Sequence, residues 1–102
     1  MRLGDLVSRK PTRMSFSSWG FVGGFDRSVR GCLRVLLVSP SMVHWVELDE
    51  RVRPSTADKI IAYDRKTWGM TAAQTREQFR LARERFIESG CLGLDVVDRW
   101  LS

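Results

Sequence analysis

Hydrophobic positions change their period about halfway along the chain. Between Ser15 and Asp49 they alternate with polar ones or run unbroken, and from Ser55 onward they recur every three to four residues. The first pattern suits strands and the second amphipathic helices. Residues 15–25, SFSSWGFVGGF, read as an aromatic strand in which Gly20, Gly23 and Gly24 mark a bulge or tight turn, and 26–28 as a connector. Val29 to Val38 is an apolar, partly β-branched run closed by Ser39-Pro40, and Met42 to Asp49 alternates around Val43, Trp45 and Glu47. Strands are preferred for both, although a short helix also fits 29–38 and Ser39-Pro40 is also a helix-start signal.

The second half is punctuated by caps. Ser55-Thr56-Ala57-Asp58 predicts a capping box with Ser55 as N-cap, and Gly69 the left-handed stop of a helix reaching about Thr67. Thr71-Ala72-Ala73-Gln74 predicts a second box, opening the longest helix, which ends at Gly90. Ala72, Thr75, Phe79, Ala82 and Phe86 form its core-facing stripe, and Leu94, Val97, Trp100 and Leu101 form a short third helix. The fold class expected is α+β. A two- or three-stranded antiparallel sheet in the N-terminal half packs against two or three helices in the C-terminal half, and a mainly α fold is the alternative.

At 102 residues the chain is one domain in size, and 43% hydrophobic with 28% charged residues is globular composition. The net charge of +5 is uneven. Residues 1–13 hold Arg2, Arg9, Lys10 and Arg13 against Asp5, a net +3, which leaves +2 for the other 89. With Pro11 and its serine, this stretch reads as a flexible basic arm before a globular domain over 14–102, and as a leader if Met14 is the natural start. No apolar run is long enough to span a membrane and no signal-peptide pattern follows the N-terminus, so a cytoplasmic location is expected. Arginine outnumbers lysine 14 to 3, a skew associated with GC-rich bacterial and phage genomes.

Candidate chemistry is sparse. His44 is the sole histidine and lies in an apolar run, where packing is the simpler role. Cys32 and Cys91 are far apart and read as two reduced thiols. Metal-ligand spacings, a phosphate-cradling glycine loop and a nucleophile–base pairing are all missing, so no enzyme, metal or cofactor is expected.

Two features suit binding. Arg76, Arg80 and Arg83 fall at i, i+4 and i+7 on one helical face, able to meet phosphates or carboxylates. Trp68 and Trp100, at a helix end and near the C-terminus, are hard to bury fully and belong to the types that dominate interfaces. These five residues are the expected partner-binding set. The leading expectation is a small regulatory protein, homodimeric, that docks on another protein as an anti-activator or a phage-type inhibitor would. The alternative is a DNA-binding regulator. The helices flanking Trp68-Gly69-Met70 superficially resemble a helix-turn-helix with residues 71–89 as reader, but Asp64 and Arg65 stand where that motif wants apolar and small residues.

Overall fold

A computed structural model describes residues 1–11 and 18–102. Strands β1 (Leu6–Arg9), β2 (Ser18–Arg27), β3 (Leu33–Val38), β4 (Val43–Glu47) and β5 (Val52–Pro54) precede helices α1 (Ala57–Trp68), α2 (Ala72–Glu88) and α3 (Leu94–Leu101). The strands make one antiparallel sheet in the order β4-β3-β2-β1-β5. The fold is therefore α+β, and the mainly α alternative falls. The sheet has five strands where two or three were expected, because β1 and β5 carry too few residues to show a period.

The larger correction concerns the N-terminus. Residues 6–9, expected in a flexible arm, form β1, which pairs with β2 on one side and β5 on the other. Leu6 and Val7 are both fully buried, and they point to opposite faces of the sheet. The turn before them is held as well, since Gly4 N–H donates to Val22 O at 2.7 Å and Val22 N–H to Asp5 O at 2.9 Å. Residues 4–10 thus belong to the fold. Arg13, Met14 and the start of the expected strand at Ser15 lie outside the described residues.

The sheet is strongly coiled. Residues 48–51 alone carry the chain from β4 at one edge to β5 at the other. Across a flat sheet those edges would stand about 19 Å apart, beyond the ~17 Å that five Cα steps reach. Coiling brings the edges together, and Val46 of β4 and Val52 of β5 join Val7, Val22, Val35 and Leu37 in one interior cluster. The bend sits in β2, where the register shifts between Val22 and Gly24. Two of the three glycines expected to mark a bend, Gly20 and Gly23, leave space that a side chain would fill. A Cβ on Gly20 would lie 2.8 Å from Leu37 Cγ, and one on Gly23 would lie 2.7 Å from Cys91 Sγ.

The helices cover the outer face. Leu6, Phe21 and Val38 from the sheet meet Ile60, Phe79, Ala82, Phe86 and Val97 from the helices in a second cluster. The expected stripe on α2 holds except at Ala72, which is exposed. Thr71 and Gln74 form the expected reciprocal capping box. At α1 the cap is Thr56, not Ser55: its Oγ1 accepts from Lys59 N–H at 3.3 Å. Ser55 instead extends the sheet, donating its N–H to Leu6 O at 2.9 Å. Gly69 stops α1 at φ 67°, with Met70 N–H returning to Asp64 O. No helix among the described residues is long and apolar enough to cross a membrane.

Because β1 is an inner strand carrying core residues on both faces, deleting residues 1–10 should abolish cooperative thermal unfolding. Circular dichroism melts check this. A truncated chain with an unchanged midpoint would show that β1 is dispensable.

Candidate functional site

The five expected binding residues do not share one surface. Arg80 is held by two carboxylates on its own helix, donating through Nε to Glu77 Oε2 at 2.9 Å and through Nη1 to Glu84. That guanidinium holds the Glu77 carboxyl below its usual range. Arg83 reaches from α2 to α3, where its Nε donates to Asp98 Oδ1 at 2.6 Å. Two of the three arginines are therefore engaged within the chain. Arg76, Arg80 and Trp100 border a small hollow of about 200 Å³ with Phe79 and Leu101. Trp68 is elsewhere, at the C-terminal end of α1 and 59% exposed.

Trp68 instead stands on the wall of a cleft of about 710 Å³ between the sheet and α1. The strand register builds its sheet side: Ser8 of β1 lies opposite Trp19 of β2 and Arg53 of β5, so the three form a row on one face. Trp19 packs edge-on against Phe79 at 4.8 Å between ring centroids, which fixes the floor. Helical spacing builds the other wall, with Lys59 and Tyr63 four residues apart and Ile60 and Asp64 beside them. Lys10, Pro11 and the Ser39–Pro40–Ser41 turn close the upper end.

The charge of this cleft is one-sided. Lys10, Arg53 and Lys59 line it, and none is in an ion pair among the described residues. Arg53 is aimed by a bond from its Nε to Glu50 O at 3.0 Å, which leaves its charge unneutralised. Asp64 is the one acid on the lining. Arg9 also borders the cleft, but its charge acts on His44 and Asp49. Two aromatic rings rise from α1 beside these cations, Tyr63 at 44% and Trp68 at 59% exposure.

Of the groups that usually carry chemistry, Cys91 and His44 are partly buried and Cys32 is exposed. Cys32 is exposed in the turn before β3, and Cys91 is a free thiol against Gly23. Burial pushes the Cys91 thiol up, the reverse of an activated thiolate. His44 lies opposite Leu37 at the coiled sheet's interior, and its buried Nδ1 has no hydrogen-bond partner among the described residues. No group of three or more His, Cys, Asp or Glu side chains among the described residues could hold a metal ion.

Of the expected set, then, only Trp68 borders the large cleft. Lys10, Arg53, Lys59, Tyr63 and Asp64 were not anticipated there. Lys59 and Tyr63 carried a legible signal, an i, i+4 pair just inside a capped helix. The placing of Lys10 and Arg53 depends on strand pairings that no local pattern announces. Comparison of the chain with protein-family models, with known proteins and with solved structures gives no match.

His44 gives the folded state a pH signature. Burial first, and the nearby positive charge of Arg9 second, lower its pKa below the ordinary value of about 6.5. The unfolded chain then binds the proton more readily, so stability present above about pH 6.5 is lost as pH falls toward the lowered folded value. Asp26, Asp49 and Glu77, held low by arginines or their backbone, act only in the more acidic carboxylate range. Thermal midpoints should therefore drop between pH 7 and pH 5 in the unsubstituted chain and stay flatter in His44→Gln. Equal slopes would show that His44 does not carry the effect.

Proposed function

We propose that this chain is a binding module that acts by contact, and that its ligand is a single-stranded nucleic acid held in the cleft between the sheet and α1. One observation carries the reading: three cations without acidic partners share a cleft with two exposed aromatic rings. Phosphates suit Lys10, Arg53 and Lys59, as charge-assisted contacts that release counterions. Bases suit Tyr63 and Trp68, whose flat faces accept stacking whatever the sequence. An acidic ligand without rings would use the cations and leave the aromatics unexplained.

A duplex read by α2 has less support. Arg80 and Arg83 are tied to Glu77, Glu84 and Asp98, and the opposite side of the helix is committed to the core. The regulatory-protein reading, in which a homodimer docks on another protein, keeps one specific observation in its favour. Arg76 has no ion pair among the described residues and lies beside Trp100 at the small hollow.

Fluorescence anisotropy with a labelled 12-nucleotide DNA, its duplex and an acidic peptide of equal charge separates these readings. Three phosphate contacts give a salt slope of about −2 on a log–log plot for a single strand, or roughly 20-fold weaker binding from 50 to 200 mM salt. Lys59→Ala should flatten that slope by about 0.7, and Trp68→Ala should weaken binding about tenfold. Arg80→Ala should change neither. Preference for the duplex or the peptide, or no binding at 50 mM salt, overturns the proposal.

A further inference from the structure

The cleft holds one group that phosphate binding does not explain. Asp64, on α1, is 7% exposed and lines a space whose other charged residues are all cations. A buried carboxylate is costly unless its oxygens find donors. One does: Oδ2 accepts from the Thr75 hydroxyl at 3.1 Å, a bond that ties the last turns of α1 to the first turn of α2. That bond meets the structural need for a polar residue here. The other oxygen, Oδ1, has no hydrogen-bond partner among the described residues, and the cleft is the space its residue faces.

We infer that Asp64 reads a base in the cleft and makes the site prefer guanine. The inference rests on the nucleic-acid reading of the same cleft. An ionised carboxylate only accepts, with about four lone-pair sites over its two oxygens, so Thr75 leaves room for two further donors. The Watson–Crick edge of guanine offers two adjacent ones, N1–H and the 2-amino group, and meets both carboxylate oxygens side by side. Cytosine and adenine each present one amino group next to a ring nitrogen that is an acceptor. Thymine presents its single N3–H between two carbonyl oxygens, which a carboxylate repels. Lys10, Arg53 and Lys59 offset the cost of placing this acid near a phosphate chain.

The experiment compares three labelled DNA strands with the full chain: twelve thymidines, the same strand with one central guanine, and that strand with inosine in its place. Inosine keeps N1–H and lacks the 2-amino group. The guanine strand should bind roughly tenfold tighter than the thymidine strand, within the discrimination a good bidentate pair supplies, with inosine between them. Asp64→Asn keeps an acceptor for Thr75, so its melting midpoint should stay close to the parent. It should abolish the guanine advantage, and because it removes a negative charge from the cleft it should bind the thymidine strand at least as tightly as the parent does. Equal affinities for all three strands on the unsubstituted chain overturn the base-reading role and leave the cleft reading standing. So does an advantage that survives in a folded Asp64→Asn chain. Binding of none of the strands overturns both, as does tighter binding of an arginine-bearing peptide than of any strand.

Discussion

Strand β1 holds the two halves of the structure together. It has four residues, yet it pairs on both sides and buries Leu6 under the helices and Val7 inside the coiled sheet. Without it, β5 has no partner and β2 loses the pairing of its first half. The helices then lose the outer sheet face on which Phe79 and Phe86 rest. A coiled five-stranded sheet of this size has little interior, so six small side chains of valine and leucine type fill it. Each is there because its neighbour on the same strand faces the other way. That double use of alternation lets a chain of 102 residues build two apolar layers.

The parts of the fold legible in the sequence are those decided locally. Thr71 and Gln74 cap each other across three residues, and Gly69 ends α1 in the left-handed conformation with no help from distant groups. The stripe of Thr75, Phe79, Ala82 and Phe86 shows its period over three turns. Strands β1 and β5 are too short to show a period of two. Leu6 and Val7 stand among Arg2, Asp5, Arg9 and Lys10, where charge density reads as solvated chain, and Pro54 argues against a strand unless it lies at an edge, as it does. The cap of α1 falls one residue after the expected Ser55 for a related reason. Ser55 is chemically a good N-cap, but its backbone is committed to Leu6, and Thr56 is the first residue free to take the role.

The same short strand changes where the charge of the molecule sits. Counted along the chain, the excess basicity belongs to the first thirteen residues and reads as a tail. Once β1 is an inner strand, Lys10 stands at its end beside Arg53 of β5, across the cleft from Lys59. Meanwhile the arginine stripe that looked available on α2 is taken up by Glu77, Glu84 and Asp98. Solvent-accessible ion pairs of this kind contribute little to stability, but they remove cations from the surface that would have presented them. Folding moves the accessible positive charge from the helix to the cleft, and Trp68 is the one anticipated residue that faces it.

The two walls of the cleft are not independent. Arg53 lies in β5, Ser55 bonds Leu6, and Thr56 opens the helix that carries Lys59, Tyr63, Asp64 and Trp68. Floor and wall are thus joined through a few residues registered against β1, and Asp64 pins the far end of that wall to α2 through Thr75. Such a site has little freedom to widen or close as a whole. Its cations sit on long side chains that can follow a flexible phosphate chain, whereas its carboxylate is fixed by burial and by a hydrogen bond. Adjustable groups give affinity without sequence preference, and a fixed acceptor in a confined space discriminates, since a base that misplaces its donors leaves that acceptor unsatisfied.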